Sequence, residues 1–121
     1  MPTASGHTTA IRAKTVIGTS VKDLSGDKIG KVEDIMLDKT SSNIMFAVVG
    51  FGGVLGMGEK YHPLPWSALT YDEADNAYKV GYSKEELKAA PAATIDELSR
   101  DDGLALRDQT YDYYKAKRYW S

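Results

Sequence analysis

The sequence predicts a mainly β fold, a small, strongly bent antiparallel β-barrel with short C-terminal helices. Three observations carry this. β-branched runs punctuated by turn formers begin at Thr15. One of those runs changes parity in a way that requires a bulge. Helix-start signals are absent until Ser83. At 121 residues the chain is long enough for one modest core and too short for two ordinary domains.

Residues 1–14, rich in Thr, Ser, Ala and Gly without periodicity, read as a flexible N-terminal arm. Residues 15–92 carry the barrel. TSVKDL is followed by a turn at Ser25-Gly26-Asp27, and the stretch Asp38 to Asn43 supplies the next reversal. Between them, Ile29, Val32, Ile35 and Leu37 are the apolar positions, and the parity change after Val32 predicts a β-bulge near Glu33. IMFAVVGF is apolar on both faces, with Ile44, Phe46 and Val48 on one and Met45, Ala47, Val49 and Phe51 on the other. One face fills the core, and the second must be covered by the chain's own tail or by another molecule. EKYHPLPWSALTYD reads as one extended stretch whose prolines suit an edge or a bend. A turn at Asp72 to Asn76 leads to AYKVGY.

Residues 93–121 form a helical, aromatic-rich extension. Ser83 with Glu86 and Thr94 with Glu97 are capping boxes, and Pro91 stops the first helix. After Asp102, Leu104, Tyr111 and Tyr114 can share a helical stripe.

Composition excludes several functions. The chain has no Cys, which removes disulfides, thiolate metal sites and cysteine nucleophiles. A net charge of -2 disfavours a free-standing nucleic-acid binder. The first residues have neither a basic start nor an apolar middle, and no apolar run reaches membrane-spanning length, so a cytoplasmic chain without a transmembrane segment is expected.

The stretch GFGGVLGMGEK tests a nucleotide reading directly. Gly53 to Gly58 has the spacing of a phosphate loop, but Glu59 stands where the Lys is needed, Lys60 comes one place late, and Tyr61-His62-Pro63 replaces the helix. A dinucleotide fingerprint fails because Leu55 occupies the third glycine position. The glycines therefore read as a tight, bulged reversal that keeps Val54, Leu55 and Met57 apolar. His7 and His62 lack a second ligand at metal spacing, and the Asp72 to Asn76 cluster lacks the Gly and Glu of a calcium loop. No catalytic residue, cofactor or metal is expected.

The series VIGTSVKDLSGDKIGKVEDIMLD, FAVVGFGGVLGMGEKYHPLPWSAL and SKEELKAAP closely resembles the PRC-barrel family over about Thr15 to Pro91. The most specific portion is GFGG-x-LG-x-GEK followed by P-W-S-A-L. The YDYY and closing YW also look like the tail of the stand-alone bacterial members. That family includes the cytoplasmic domain of the photosynthetic reaction-centre H subunit and the C-terminal domain of a ribosome maturation factor. The resemblance implies a small bent barrel used as an adaptor or assembly module, with no family-wide catalytic residues.

Two functional expectations follow. The first is a non-enzymatic module that self-associates as a homodimer and recruits an unidentified protein, through Phe51, Val54, Leu55, Met57, Trp66, Tyr111, Tyr114 and Trp120. The alternative is a small-molecule-binding barrel with Lys60, Tyr61 and Trp66 at its mouth or at a dimer seam. Small barrels are usually filled by their own side chains, which ranks the alternative second.

Overall fold

A computed structural model describes residues 10–51 and 60–120. A single helical turn, α1 (Ala13–Val16), opens the fold where an arm and strand had been expected, and it buries Val16. The strands are β1 (Ser20–Lys22), β2 (Lys28–Leu37), β3 (Ile44–Phe51), β4 (His62–Pro65), β5 (Thr70–Asp72) and β6 (Ala77–Lys79). The helices α2 (Lys84–Ala89), α3 (Ile95–Ser99) and α4 (Leu104–Tyr114) follow, with a 3-10 corner at Arg100–Gly103 between the last two.

The six strands form one sheet in the order β4-β3-β2-β1-β6-β5. It is not closed, and one pair departs from the antiparallel expectation: β1 and β6 run parallel, with Val21 opposite Tyr78. The chain between them supplies the crossover that a parallel pair needs. The expected single stretch from Glu59 to Asp72 is broken by a 3-10 turn at Trp66–Ala68 into β4 and β5.

The bulge expected near Glu33 is present, since Val32 pairs with Val49 and Asp34 with Val48, leaving Glu33 unopposed. A second irregularity was not foreseen. Met36 pairs with Phe46 and Leu37 with Ile44, so Met45 on β3 is the extra residue. The two bulges bend the long hairpin and reassign side chains at its far end. Met45 joins Phe46 and Val48 against Ala93 and Leu98, while Ala47 and Val49 pack with Val21, Val32, Leu64 and Leu87. Leu37, counted by parity among the apolar set, is instead 65% exposed.

The second face of β3 is thus covered in cis by the C-terminal extension. Both capping boxes form, Ser83 with Glu86 and Thr94 with Glu97, each satisfying two main-chain donors at a helix start. α4 turns Thr110, Tyr111 and Tyr114 inward, and Leu104, expected on that stripe, stays 44% exposed on its first turn.

Candidate functional site

Four segments meet at one corner of the molecule: the end of β2, the β2–β3 turn, the corner before α4, and the tail after it. The turn is organised by Asp38. One of its oxygens accepts from the Thr40 N–H at 2.9 Å and the Thr40 hydroxyl at 2.7 Å. Tyr119 donates its hydroxyl to the other oxygen at 2.6 Å, from 81 residues further along. The Tyr119 bond first, and then those from Thr40, hold the Asp38 carboxyl well below the usual carboxylate range. Tyr119 is pushed up to about 12, by burial first and then by its bond to Asp38.

The tail reaches this seat because α4 ends in a left-handed residue. Lys115 has φ 54° and ψ 37°, and the Ala116 N–H bonds back to the Tyr111 carbonyl at 2.9 Å. The chain then folds over α4. Trp120 stands edge-on to Tyr111 with ring centroids 4.7 Å apart, and the Arg107 guanidinium carbon lies 3.7 Å from the Trp120 ring centroid. Arg107 also bonds Asp108 at 3.2 Å, and Arg118 bonds Asp112 at 2.7 Å. Beside this seat lies a depression of about 380 Å³ with Met36 and Met45 among its walls and Leu37, Leu104, Asp38 and Arg107 around it.

Of the residues expected to form a contact surface, the described ones fall in two places, Tyr111 with Trp120, and Tyr114 in the core against which Phe51 and Trp66 pack. Tyr111 and Tyr114 are 3% and 4% exposed and belong to the chain's own interior. Tyr111 donates to the Met45 carbonyl at 2.7 Å, and the Tyr82 hydroxyl donates to the Tyr114 carbonyl at 3.1 Å. Neither side chain is available to a partner in this arrangement. Trp120 is half-buried against Tyr111. Phe51 is half-buried, packs on the barrel core and stacks on His62 at 4.6 Å. Trp66 packs on that core from elsewhere, edge-on to Tyr78 at 5.6 Å. Val54, Leu55 and Met57 lie outside the described residues.

The three residues of the ligand reading are also divided. Lys60 and Tyr61 stand before β4 and Trp66 after it, so the whole strand separates them. Lys60 is exposed, while Tyr61 forms a two-way main-chain bridge with Ala93 at 2.8 and 2.9 Å. Burial lowers the pKa of His62, an effect opposed by the nearby Pro91 and Ala90 main chain, and its Nδ1 has no hydrogen-bonding partner among the described residues. Among the described residues, no three His, Cys, Asp or Glu side chains are grouped so as to hold a metal ion.

Leu37, Leu104 and Asp38 were missed as site residues. The sequence carried a signal for one of them: Asp38-Lys39-Thr40 has the spacing of an Asx turn. Leu37 and Leu104 gave no such signal, because an exposed leucine and a core leucine look alike in a pattern.

A bent, open β-sheet covered by its own helices defines a small β-barrel-type module. Residues 8–87 match the PRC-barrel domain, and the chain belongs to that family. PRC-barrel domains are small interaction modules, generally without catalysis. A search of the curated proteins finds no match. Among the described residues no helix is long and apolar enough to cross a membrane.

Proposed function

We propose that this chain is a non-enzymatic assembly module that self-associates as a homodimer through the corner bearing Leu37 and Leu104. The observation that carries the reading is the pairing of a protruding leucine with a depression. Leu37 is 65% exposed beside a hollow of about 380 Å³ walled in part by two methionines. Methionine side chains are unbranched and adjust to an incoming apolar group. Across a twofold axis each copy offers both partners, which is the requirement of an isologous contact.

The rim carries both signs of charge, with Asp38 held as a carboxylate by Tyr119 and Thr40, Arg107 paired with Asp108, and Lys39 exposed, which suits a second copy of the same mixed surface better than a partner of one strong sign. The covered face of β3 no longer argues for association, because α3 and α4 already bury it.

The test is the absolute mass in solution, by light scattering, of the full chain and of Leu37→Asp and Leu104→Asp. Both positions are exposed, so far-UV CD and thermal melting should be nearly unchanged. A dimer that both variants reduce to monomer is expected. A dimer that survives both would move the contact elsewhere, and a monomeric parent chain would remove self-association.

A further inference from the structure

The two leucines of the candidate corner sit on separate pieces of the fold. Leu37 ends β2 and runs straight into Asp38 of the turn, whereas Leu104 opens α4 and shares a helical face with Arg107, one turn on. We propose that Tyr119 and Trp120 form an intramolecular strap that holds these two pieces in one relative position, and so fixes the shape of the corner. The strap's use rests on the self-association proposed above. Its contacts form a closed circuit within the chain. Tyr111 ties α4 to β3 through the Met45 carbonyl at 2.7 Å. Trp120 grips α4 from outside, against Tyr111 and the Arg107 guanidinium. Tyr119 grips the turn, donating to Asp38 at 2.6 Å. The turn and β3 are one continuous stretch of chain, which closes the circuit.

Consecutive side chains thus hold opposite walls of the depression. Their α-carbons are about 3.8 Å apart, so the turn cannot move away from α4 without breaking one grip or the other. The near end of the strap is itself anchored on α4, by the Ala116 N–H bond to the Tyr111 carbonyl at 2.9 Å. The turn needs a hold from outside. Ser42 is left-handed at φ 63°, a conformation unfavourable for an L-residue. The residues from Lys39 to Asn43 are exposed, and the main-chain bonds that close the turn, Ser42 N–H to the Asp38 carbonyl at 3.1 Å and Asp38 N–H to the Asn43 carbonyl at 2.8 Å, lie among them. Exposed main-chain bonds of this kind open readily. Asp38 is where the strap enters, because the carboxylate that caps Thr40 from inside the turn is the one that Tyr119 holds from outside. A surface fixed in one shape before contact loses less freedom on binding, so the strap favours association from within its own chain.

Hydrogen exchange read by mass spectrometry on the full-length chain tests the strap, at a dilution where light scattering gives a monomer and with Leu37→Ser added if a dimer persists. No second copy then contributes to the reading. Tyr119→Phe should speed exchange of the 38–43 segment about tenfold, as the loss of one hydrogen bond to a carboxylate requires. Trp120→Ala leaves the Tyr119 and Asp38 groups intact and removes only the grip on α4. It should speed the same segment by a similar factor. Exchange at the β1–β6 contact, where the Val80 N–H bonds the Lys22 carbonyl at 3.0 Å, should change in neither variant. A turn segment that Trp120→Ala leaves unmoved would show that the Tyr119 bond acts locally, and the proposal is overturned. Faster exchange throughout the chain would report a general loss of stability and overturns it too. Light scattering at rising concentration separates this from the companion reading. A parent dimer that both variants weaken joins the strap to self-association, and a parent dimer that neither weakens overturns the strap's part in docking. A monomeric parent removes self-association, while the exchange result still decides the strap.

Discussion

Tyr111 and Tyr114 sit one turn apart on α4, almost equally buried, yet their hydroxyls meet different fates. Tyr111 donates to the Met45 carbonyl, whereas the Tyr114 hydroxyl has no hydrogen-bonding partner among the described residues, and burial raises the latter's pKa strongly. Removing a satisfied buried donor strands its acceptor, while removing an unsatisfied one relieves a desolvation cost. Tyr111→Phe should therefore destabilise the chain by about 1–2 kcal/mol in urea unfolding, and Tyr114→Phe should be neutral or stabilising. Equal losses in both variants would refute the distinction. The sequence placed both tyrosines on one helical stripe, and the stripe is real. It could not say that the stripe turns toward Met45 of β3 at Tyr111 and toward Leu64 of β4 at Tyr114, because periodicity marks a buried face without naming what covers it.

At the scale of elements, the β2–β3 hairpin decides the geometry of the site. The Glu33 bulge was legible because a parity change within a strand has few physical solutions. The Met45 bulge was not, since the residues around it are apolar on both faces and parity carries no information there. That second bulge puts Met45 in one cluster with its neighbour Phe46, and Met45 is a wall of the candidate corner. Close approach within the hairpin is enforced at Gly30, where an added Cβ would clash with the Gly50 carbonyl oxygen. A main-chain atom cannot swing aside as a side chain does. Gly30→Ala should cost about 3 kcal/mol or more, read as a lower unfolding midpoint in urea, the upper end of what overpacking does. An unchanged midpoint would show that the two strands separate freely there. β4 is protected in a different way. Tyr61 turns its main chain toward Ala93, so by alternation Pro63 and Pro65 turn theirs to the same outer side, where they offer no N–H to an incoming strand.

Across the whole molecule, the sheet and the C-terminal extension are one cooperative body. Ala93, Leu98 and Leu106 pack with Phe46 and Val48, and Tyr114 enters the barrel core beside Leu64 and Leu87. A chain ending at Ala92 should lose cooperative melting, bind the dye ANS and aggregate, since the outer face of β3 would be left bare. A stable, monomeric, cooperatively melting truncation would mean that the extension is dispensable. The family and the fold class were readable from strand patterning and the glycine-rich motif. The site was not, because it is assembled from Asp38, Arg107 and Tyr119, and only the folded chain relates those positions.

The parallel contact between β1 and β6 sets an order on assembly. β1 can pair with β2 as soon as both have been synthesised, but its other flank waits until Tyr78 has left the ribosome to meet Val21. Closing so long a loop is entropically slower than zipping the neighbouring hairpin. For that interval the nascent chain carries a bare strand edge in the middle of its future sheet. The period of greatest exposure to mispairing therefore ends when β6 docks, before α4 and the aromatic tail are free to fold onto the sheet.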